Sequence, residues 1–289
     1  MMVSKRPLHL YVHVPFAALR SPACAVRVYD AGECECRAYC HALVREMEAA
    51  APDFEDSCVV SVCFGGGSPT ALPQGELAAL MRKTRSLFTI SPEAEITVEE
   101  IPPCLTAAQM VELQRISMNR LHVNLVTGRQ KDCERFGLGF NLPASETALI
   151  LAQMYGIRHY AAQLTYGLPE QTEANLLTSL RFAVKFNAPE IVLVSADDKP
   201  DAHHDMLEAA RAYLGQKGYQ EYLPLRFAKP GHACRQALGK AGQEDVLCFG
   251  PSTVSRTDGV IYSTTDNIHA YMAAPCDPAA LYTVHDRIV

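Results

Sequence analysis

Short apolar runs alternate with amphipathic helical stretches along the first two-thirds of the 289-residue chain. Leu8-His9-Leu10-Tyr11-Val12-His13-Val14 alternates at period two and is closed by Pro15, the pattern of a strand. Leu43, Val44, Met47 and Ala50 recur at helical spacing and predict a helix over residues 37–50. Residues 59–64 form a continuous apolar run, a predicted strand that leads straight into Gly65-Gly66-Gly67-Ser68-Pro69. Further strands are predicted at 95–98, 120–125, 159–165 and 191–195. Helices are predicted near 75–87, after Thr106 with Gln109 at the capping-box position, near 145–155, from Thr172, and over 201–216. Six βα units in series favour a parallel sheet with right-handed crossovers, either an open doubly wound sheet or a barrel. Ligands of such folds sit at the carboxyl ends of the strands.

The chain then changes character. Residues 218–289 place Pro, Gly and Asp turns between short strands, so two parts are expected. Residues 1–217 form the β/α unit, and 218–289 form a C-terminal extension that caps it.

Composition narrows the function. With 48% hydrophobic and 20% charged residues, the chain is neither disordered, collagen-like nor a coiled coil. The net charge is −6 and no run of Lys or Arg exceeds two residues, so nucleic acid is not an expected partner. No apolar stretch is long enough to span a membrane. The 11 cysteines are odd in number and point to a reducing compartment rather than a disulfide framework. Lys5-Arg6, the apolar stretch after them and Ala23-Cys24-Ala25 imitate a signal peptide, but the alternation over 8–14 reads as a strand. A cytoplasmic location is expected.

Taken singly, the motifs are modest. Gly65-Gly66-Gly67 removes three Cβ atoms and permits close approach of backbone to a ligand, or simply makes a tight turn. Glu99-Glu100 closes the third strand as a polar clamp or a solvated pair, and Tyr166-Gly167-Leu168-Pro169 is a turn signal. Adjacent His203 and His204 point to different helix faces and are read as surface residues, while Asp197-Asp198 ends the sixth strand.

Their order is more specific. Tyr11-Val12-His13-Val14-Pro15-Phe16 is followed by Phe64-Gly65-Gly66-Gly67-Ser68-Pro69-Thr70, Ile96-Thr97-Val98-Glu99, Asn119-Arg120-Leu121 and Thr165-Tyr166-Gly167-Leu168-Pro169-Glu170-Gln171-Thr172. Gly218-Tyr219-Gln220-Glu221-Tyr222 and Phe227-Ala228-Lys229-Pro230-Gly231-His232-Ala233-Cys234-Arg235 come next. From about residue 8 to 271 this closely resembles the radical S-adenosylmethionine family of oxygen-independent coproporphyrinogen III oxidases and HemW-type heme chaperones. The resemblance implies an α/β fold, a partial six-unit β/α (TIM-like) barrel with a short β-containing extension. It also implies a further C-terminal domain, which a chain of this length is expected to lack.

The family's chemistry depends on a loop His-x-Pro-Phe-Cys-x-x-x-Cys-x-x-Cys, whose thiolates hold a [4Fe–4S] cluster that chelates S-adenosylmethionine. Here His13-Val14-Pro15-Phe16 matches, but the three cysteine positions read Ala17, Ser21 and Cys24. Alanine offers no ligand atom and serine only a hard one. The resemblance places a Gln, an Arg and an Asp against S-adenosylmethionine where this chain has Val126, Leu138 and Gln163. Tyr11, Gly65, Gly66, Gly67 and Glu99 are retained as the implied cofactor-binding set. The family's Cys-Arg-His-Asn-x-x-Tyr-Trp stretch, tied to heme handling, begins here Cys234-Arg235-Gln236-Ala237, and the chain has no Trp.

Cys34, Cys36 and Cys40, with Cys24, put four thiols in a short stretch and offer alternative metal ligands, although Cys40 falls on a helical core pattern. Cys58, Cys63, Cys104, Cys133, Cys248 and Cys276 are read as structural. Three functions follow as expectations. The first is a pseudoenzyme without cluster or catalytic residues, holding a small molecule, a tetrapyrrole or a protein in the old cleft. The second is an active radical enzyme with a relocated cluster. The third is a cluster-free S-adenosylmethionine-binding module.

Overall fold

The computed structural model describes residues 5–17, 29, 31–197 and 203–287. Twelve strands are hydrogen-bonded in one sheet: β1 (Arg6–Val14), β2 (Ser57–Gly66), β3 (Ile90–Glu100), β4 (Arg120–Val126), β5 (His159–Tyr166), β6 (Glu190–Ser195), β7 (Gln220–Leu223), β8 (Arg226–Ala228), β9 (Asp245–Phe249), β10 (Val254–Thr257), β11 (Val260–Thr264) and β12 (Tyr282–Arg287). The helices are α1 (Glu33–Ala50), α2 (Glu76–Leu87), α3 (Ala107–Arg115), α4 (Gln130–Arg135), α5 (Leu142–Met154), α6 (Glu173–Lys185), α7 (His204–Gln216), α8 (Arg235–Ala241), α9 (Ile268–Ala273) and α10 (Pro278–Leu281).

Strands β1 to β6 are parallel and adjacent in chain order, the partial six-unit β/α barrel. The period-two pattern of β1 explains why. Leu8, Leu10, Val12 and Val14 are fully buried in one core with Leu43 and Met47 of α1, while His9, Tyr11 and His13 take the other face. Thr106 caps α3 by accepting the Gln109 amide, and Thr172 caps α6 by accepting that of Asn175.

Residues after 217 extend this sheet at both edges. The β7–β8 hairpin adds antiparallel to β6, and β9 runs parallel beside β1, followed by antiparallel β10, β11 and β12. The link between these edges is α8, which lies against the inner face of the barrel. Gln236 Nε2 donates to the Leu10 carbonyl at 3.1 Å, and Gly239 sits on the His9 ring where no Cβ would fit.

Several local expectations are corrected. Helix α1 starts before residue 37, so Cys34 and Cys36 are helical as well as Cys40. Asn141 accepts the Ala144 amide and starts α5 ahead of residue 145, and the preceding loop holds α4. His203 is not a free surface residue. It packs edge-on against Tyr166, and its ring fills the space beside Gly167. Asp198 lies outside the described residues.

Candidate binding cleft at the carboxyl ends of the strands

The inward face of the barrel is polar, because each strand sends alternate residues inside. A charged floor crosses its lower half. Arg120 is 2% exposed and fully engaged: Nε donates to Glu95 at 2.6 Å, Nη1 to Glu190 at 2.7 Å, and Nη2 to the carbonyls of His232 and Ala233. Arg226 and the Tyr222 hydroxyl also donate to Glu190. Two guanidinium groups thus face two carboxylates, which keeps the buried charge balanced.

Above this floor lie the residues that the resemblance implies for cofactor binding. The Gly66 amide donates to Glu99 Oε2 at 3.0 Å, and Cys63 Sγ lies 3.7 Å from Glu99 Oε1. Tyr11 Oη is 3.4 Å from His13 Nδ1. Burial drives the His13 pKa down to about 4, with Glu99 opposing it weakly, so His13 is neutral at pH 7. Burial also lowers the pKa of His122, whose Nε2 lies 2.9 Å from Gln163 Oε1. Tyr11, Gly65, Gly66, Gly67 and Glu99 are therefore brought together, but largely onto one another. A Cβ on Gly65 would overlap the Glu99 carboxylate, one on Gly66 the His13 ring, and one on Gly67 the Phe16 carbonyl.

A cleft of about 520 Å³ opens beside this cluster, between the ends of β1 and β9. Tyr11, His13, Gly66 and Cys248 line its depth, and Lys240 and Asp266 bring the opposite charges. Lys240 and Asp266 escaped the sequence reading, since only the long-range return of β9 beside β1 brings them to this place.

The cluster that the resemblance implies needs thiolate donors in the loop after β1 or nearby on α1. Ala17 is 5% exposed, and its amide donates to the Tyr29 carbonyl at 3.4 Å, so that position offers neither a ligand atom nor open space. Ser21 and Cys24 lie outside the described residues. Cys34 is exposed on α1, whereas Cys36 and Cys40 are buried, and burial pushes the Cys40 thiol up to about 12. Successive helical residues are about 100° apart, so Cys34 faces away from Cys36. Among the described residues no three His, Cys, Asp or Glu side chains gather as a metal site. Among the described residues, Ala17, Cys34, Cys36 and Cys40 do not make a set of cluster ligands.

Two of the positions that the resemblance implies for S-adenosylmethionine are apolar and buried. Val126 and Leu138, 2% and 0% exposed, form one apolar cluster with Cys133, flanked by Phe136 and Phe140. Val126 keeps φ at +61°, a left-handed conformation that is rare for a β-branched residue and strained.

No helix among the described residues is long and apolar enough to cross a membrane. No family model matches the chain. The heme chaperone HemW of Escherichia coli K12 is 27% identical over 286 residues, covering 93% of this chain and 76% of that protein. The oxygen-independent coproporphyrinogen III oxidase of the same strain is 26% identical over 285 residues, with 87% of this chain and 62% of that protein covered. The solved structure of coproporphyrinogen III oxidase from Escherichia coli, described as a radical S-adenosylmethionine enzyme, superposes with a TM-score of 0.84 at 23% identity, over 98% of this chain and 73% of that one. The chain is a homologue of the HemW heme chaperones and oxygen-independent coproporphyrinogen III oxidases and has the radical S-adenosylmethionine fold.

Proposed function

We propose that this protein is a cluster-free member of the radical S-adenosylmethionine superfamily that binds a tetrapyrrole in the cleft beside β1 and β9 and performs no radical chemistry. The observation that supports this reading is that Val126 and Leu138, at positions where the resemblance implies polar contacts to S-adenosylmethionine, lie in one buried apolar cluster. A single lost polar contact leaves a hole or an orphaned partner. Two replacements that pack together instead make a stable wall which excludes a polar cofactor. Buried Ala17 supports the same reading from the cluster side. The tetrapyrrole comes from the chemistry in the relatives' names, a heme chaperone and a coproporphyrinogen oxidase.

The retained Gly65, Gly66 and Glu99 favour the alternative of S-adenosylmethionine binding, but weakly, because their mutual packing already requires them. The test is iron and acid-labile sulfide after anaerobic reconstitution, in the native chain and in a Cys34/Cys36/Cys40→Ala variant, together with calorimetry against S-adenosylmethionine. Negligible iron and no heat of binding are expected. A full cluster lost in the variant overturns the reading in favour of a relocated cluster, and a full cluster kept in the variant also overturns it. Saturable S-adenosylmethionine binding without iron favours the cluster-free module.

A further inference from the structure

Two histidines meet at the N-terminal end of the barrel strands, away from the cleft. His159 opens β5, and His232 lies on residues 229–234, the strap that joins β8 to α8. Their ring centroids are 4.9 Å apart at an interplanar angle of 50°. Both Nδ1 atoms are buried, and neither has a hydrogen-bond partner among the described residues. Arg120 Nη2 holds the strap through the carbonyls of His232 and Ala233, at 2.8 and 2.9 Å. Glu95 accepts the amides of Arg235 and Gln236, so the strap leads α8 onto the inner face of the barrel. The groups around the pair leave a charge there unmatched. Burial lowers the His159 pKa, and Arg120, His232 and Arg158 lower it further against Glu95. Burial, Arg120 and Lys229 lower that of His232, against the Arg158 carbonyl, which accepts from its ring. Glu95 is already engaged by Arg120 Nε at 2.6 Å. His159 borders a cavity of about 690 Å³ together with Arg120, Ala233 and Arg235, which brings water to the pair without unfolding of the chain.

We infer that the contact of His159 with His232 is an acid-released clasp: a proton taken up by the pair lifts the strap off the barrel floor and frees α8 from the inner face. Charging both rings sets two cations against each other and against Arg120, Arg158 and Lys229. A histidine held neutral in the closed strap and ordinary in the open one takes its proton on opening. The clasp is therefore full above about pH 6.5, the ordinary imidazole value, and weakens as pH falls below it. Release also uncovers Cys234, which is buried at the end of the strap with its Sγ 3.3 Å from Glu95. The device is independent of what the cleft binds.

The experiment is labelling of the full chain with 4,4′-dithiodipyridine between pH 7.5 and 5.5, with each modified cysteine located by peptide mass spectrometry. Dividing each rate by that of the urea-unfolded chain at the same pH removes the chemistry of the thiol itself. The corrected Cys234 rate is expected to rise by up to about tenfold for each histidine that charges on opening, while Cys133, buried in the apolar cluster beside Val126, stays slower. His159→Leu and His232→Gln should each remove about tenfold of the rise, and together they should leave the rate flat with pH. A corrected Cys234 rate that is flat in the native chain overturns the clasp. So does a rise that both variants keep, or a rise that Cys133 matches, which would be unfolding of the whole chain. If the variants leave the strap open at every pH, the native chain decides alone: a rise at Cys234 below about pH 6.5 without one at Cys133 upholds the clasp.

Discussion

The Glu99 carboxylate occupies the space that a Cβ on Gly65 would need, and its Oε2 accepts the amide of Gly66 at 3.0 Å. The glycine run thus serves the protein's own packing. Gly65→Ala should destabilise the fold by about 1–3 kcal/mol through overpacking, and Glu99→Ala should relieve much of that cost when combined with it. Urea unfolding of the two single variants and the double variant measures the coupling. Gly67→Ala should cost more than Gly65→Ala, because its Cβ meets the backbone of Val14 and Phe16 rather than a side chain that can turn away. Equal stability of Gly65→Ala and the native chain would mean that Glu99 does not hold this place.

Arg120 gives the second prediction. Its removal leaves Glu95 without its ion pair and Glu190 with only Arg226 and Tyr222. Arg120→Met should therefore cost about 3–5 kcal/mol, the penalty for breaking a buried pair. Arg120→Lys should recover little, since one ammonium cannot reach two carboxylates and two carbonyls in the directions that the guanidinium fork does. Chemical denaturation at pH 7 reads both. A loss under 1 kcal/mol for Arg120→Met would show that the floor is dispensable.

How far the sequence reveals this molecule depends on the range of the contact. The strand character of β1 is legible because alternation of Leu8, Leu10, Val12 and Val14 against His9, Tyr11 and His13 is local. The caps at Thr106 and Thr172 are legible for the same reason. The return of β9 beside β1 is not, because nothing within residues 245–249 states which strand it will pair with. The site behaves alike. Tyr11, Gly65 to Gly67 and Glu99 are legible in ordered motifs, whereas the place of Lys240 depends on the close approach of Gly239 to His9. Val126 and Leu138 are visible as replacements, but their joint packing is not, since they stand twelve positions apart with α4 between them.

Glu100 makes stability depend on pH. Its Oε1 accepts the Thr70 amide at 2.8 Å, while Oε2 is buried with no hydrogen-bond partner among the described residues, and burial raises its pKa to about 7. A carboxyl group whose folded pKa is raised binds its proton more tightly in the native state. Its stabilising contribution is full below the unfolded pKa and is lost as pH rises through about 7. The buried histidines, His13 among them, act in the opposite direction, so the informative quantity is the difference between variant and native chain. Glu100→Gln should be close to neutral at pH 5 and stabilising by on the order of 2–3 kcal/mol at pH 8. Thermal unfolding across that range measures the difference. A difference that is flat with pH would mean that Glu100 is ionised in the folded protein at neutral pH.

The apolar cluster at Val126 and Leu138 offers the sharpest division between a closed cofactor site and a vacant one. In a closed site the two side chains stabilise the fold together, and a polar group put between them is buried without a partner. Val126→Gln should then cost about 1–3 kcal/mol, and Val126→Ala with Leu138→Ala should show a coupling of about 0.5–2 kcal/mol in a double-mutant cycle. The left-handed backbone at Val126 works against this loss. Val126→Gly removes about 1–2 kcal/mol of strain together with the side chain, so it should be milder than its lost burial alone requires. If the region were still a polar pocket open to a cofactor, Val126→Gln would be tolerated and the two alanine substitutions would simply add. Urea unfolding of these variants decides between the two without any ligand.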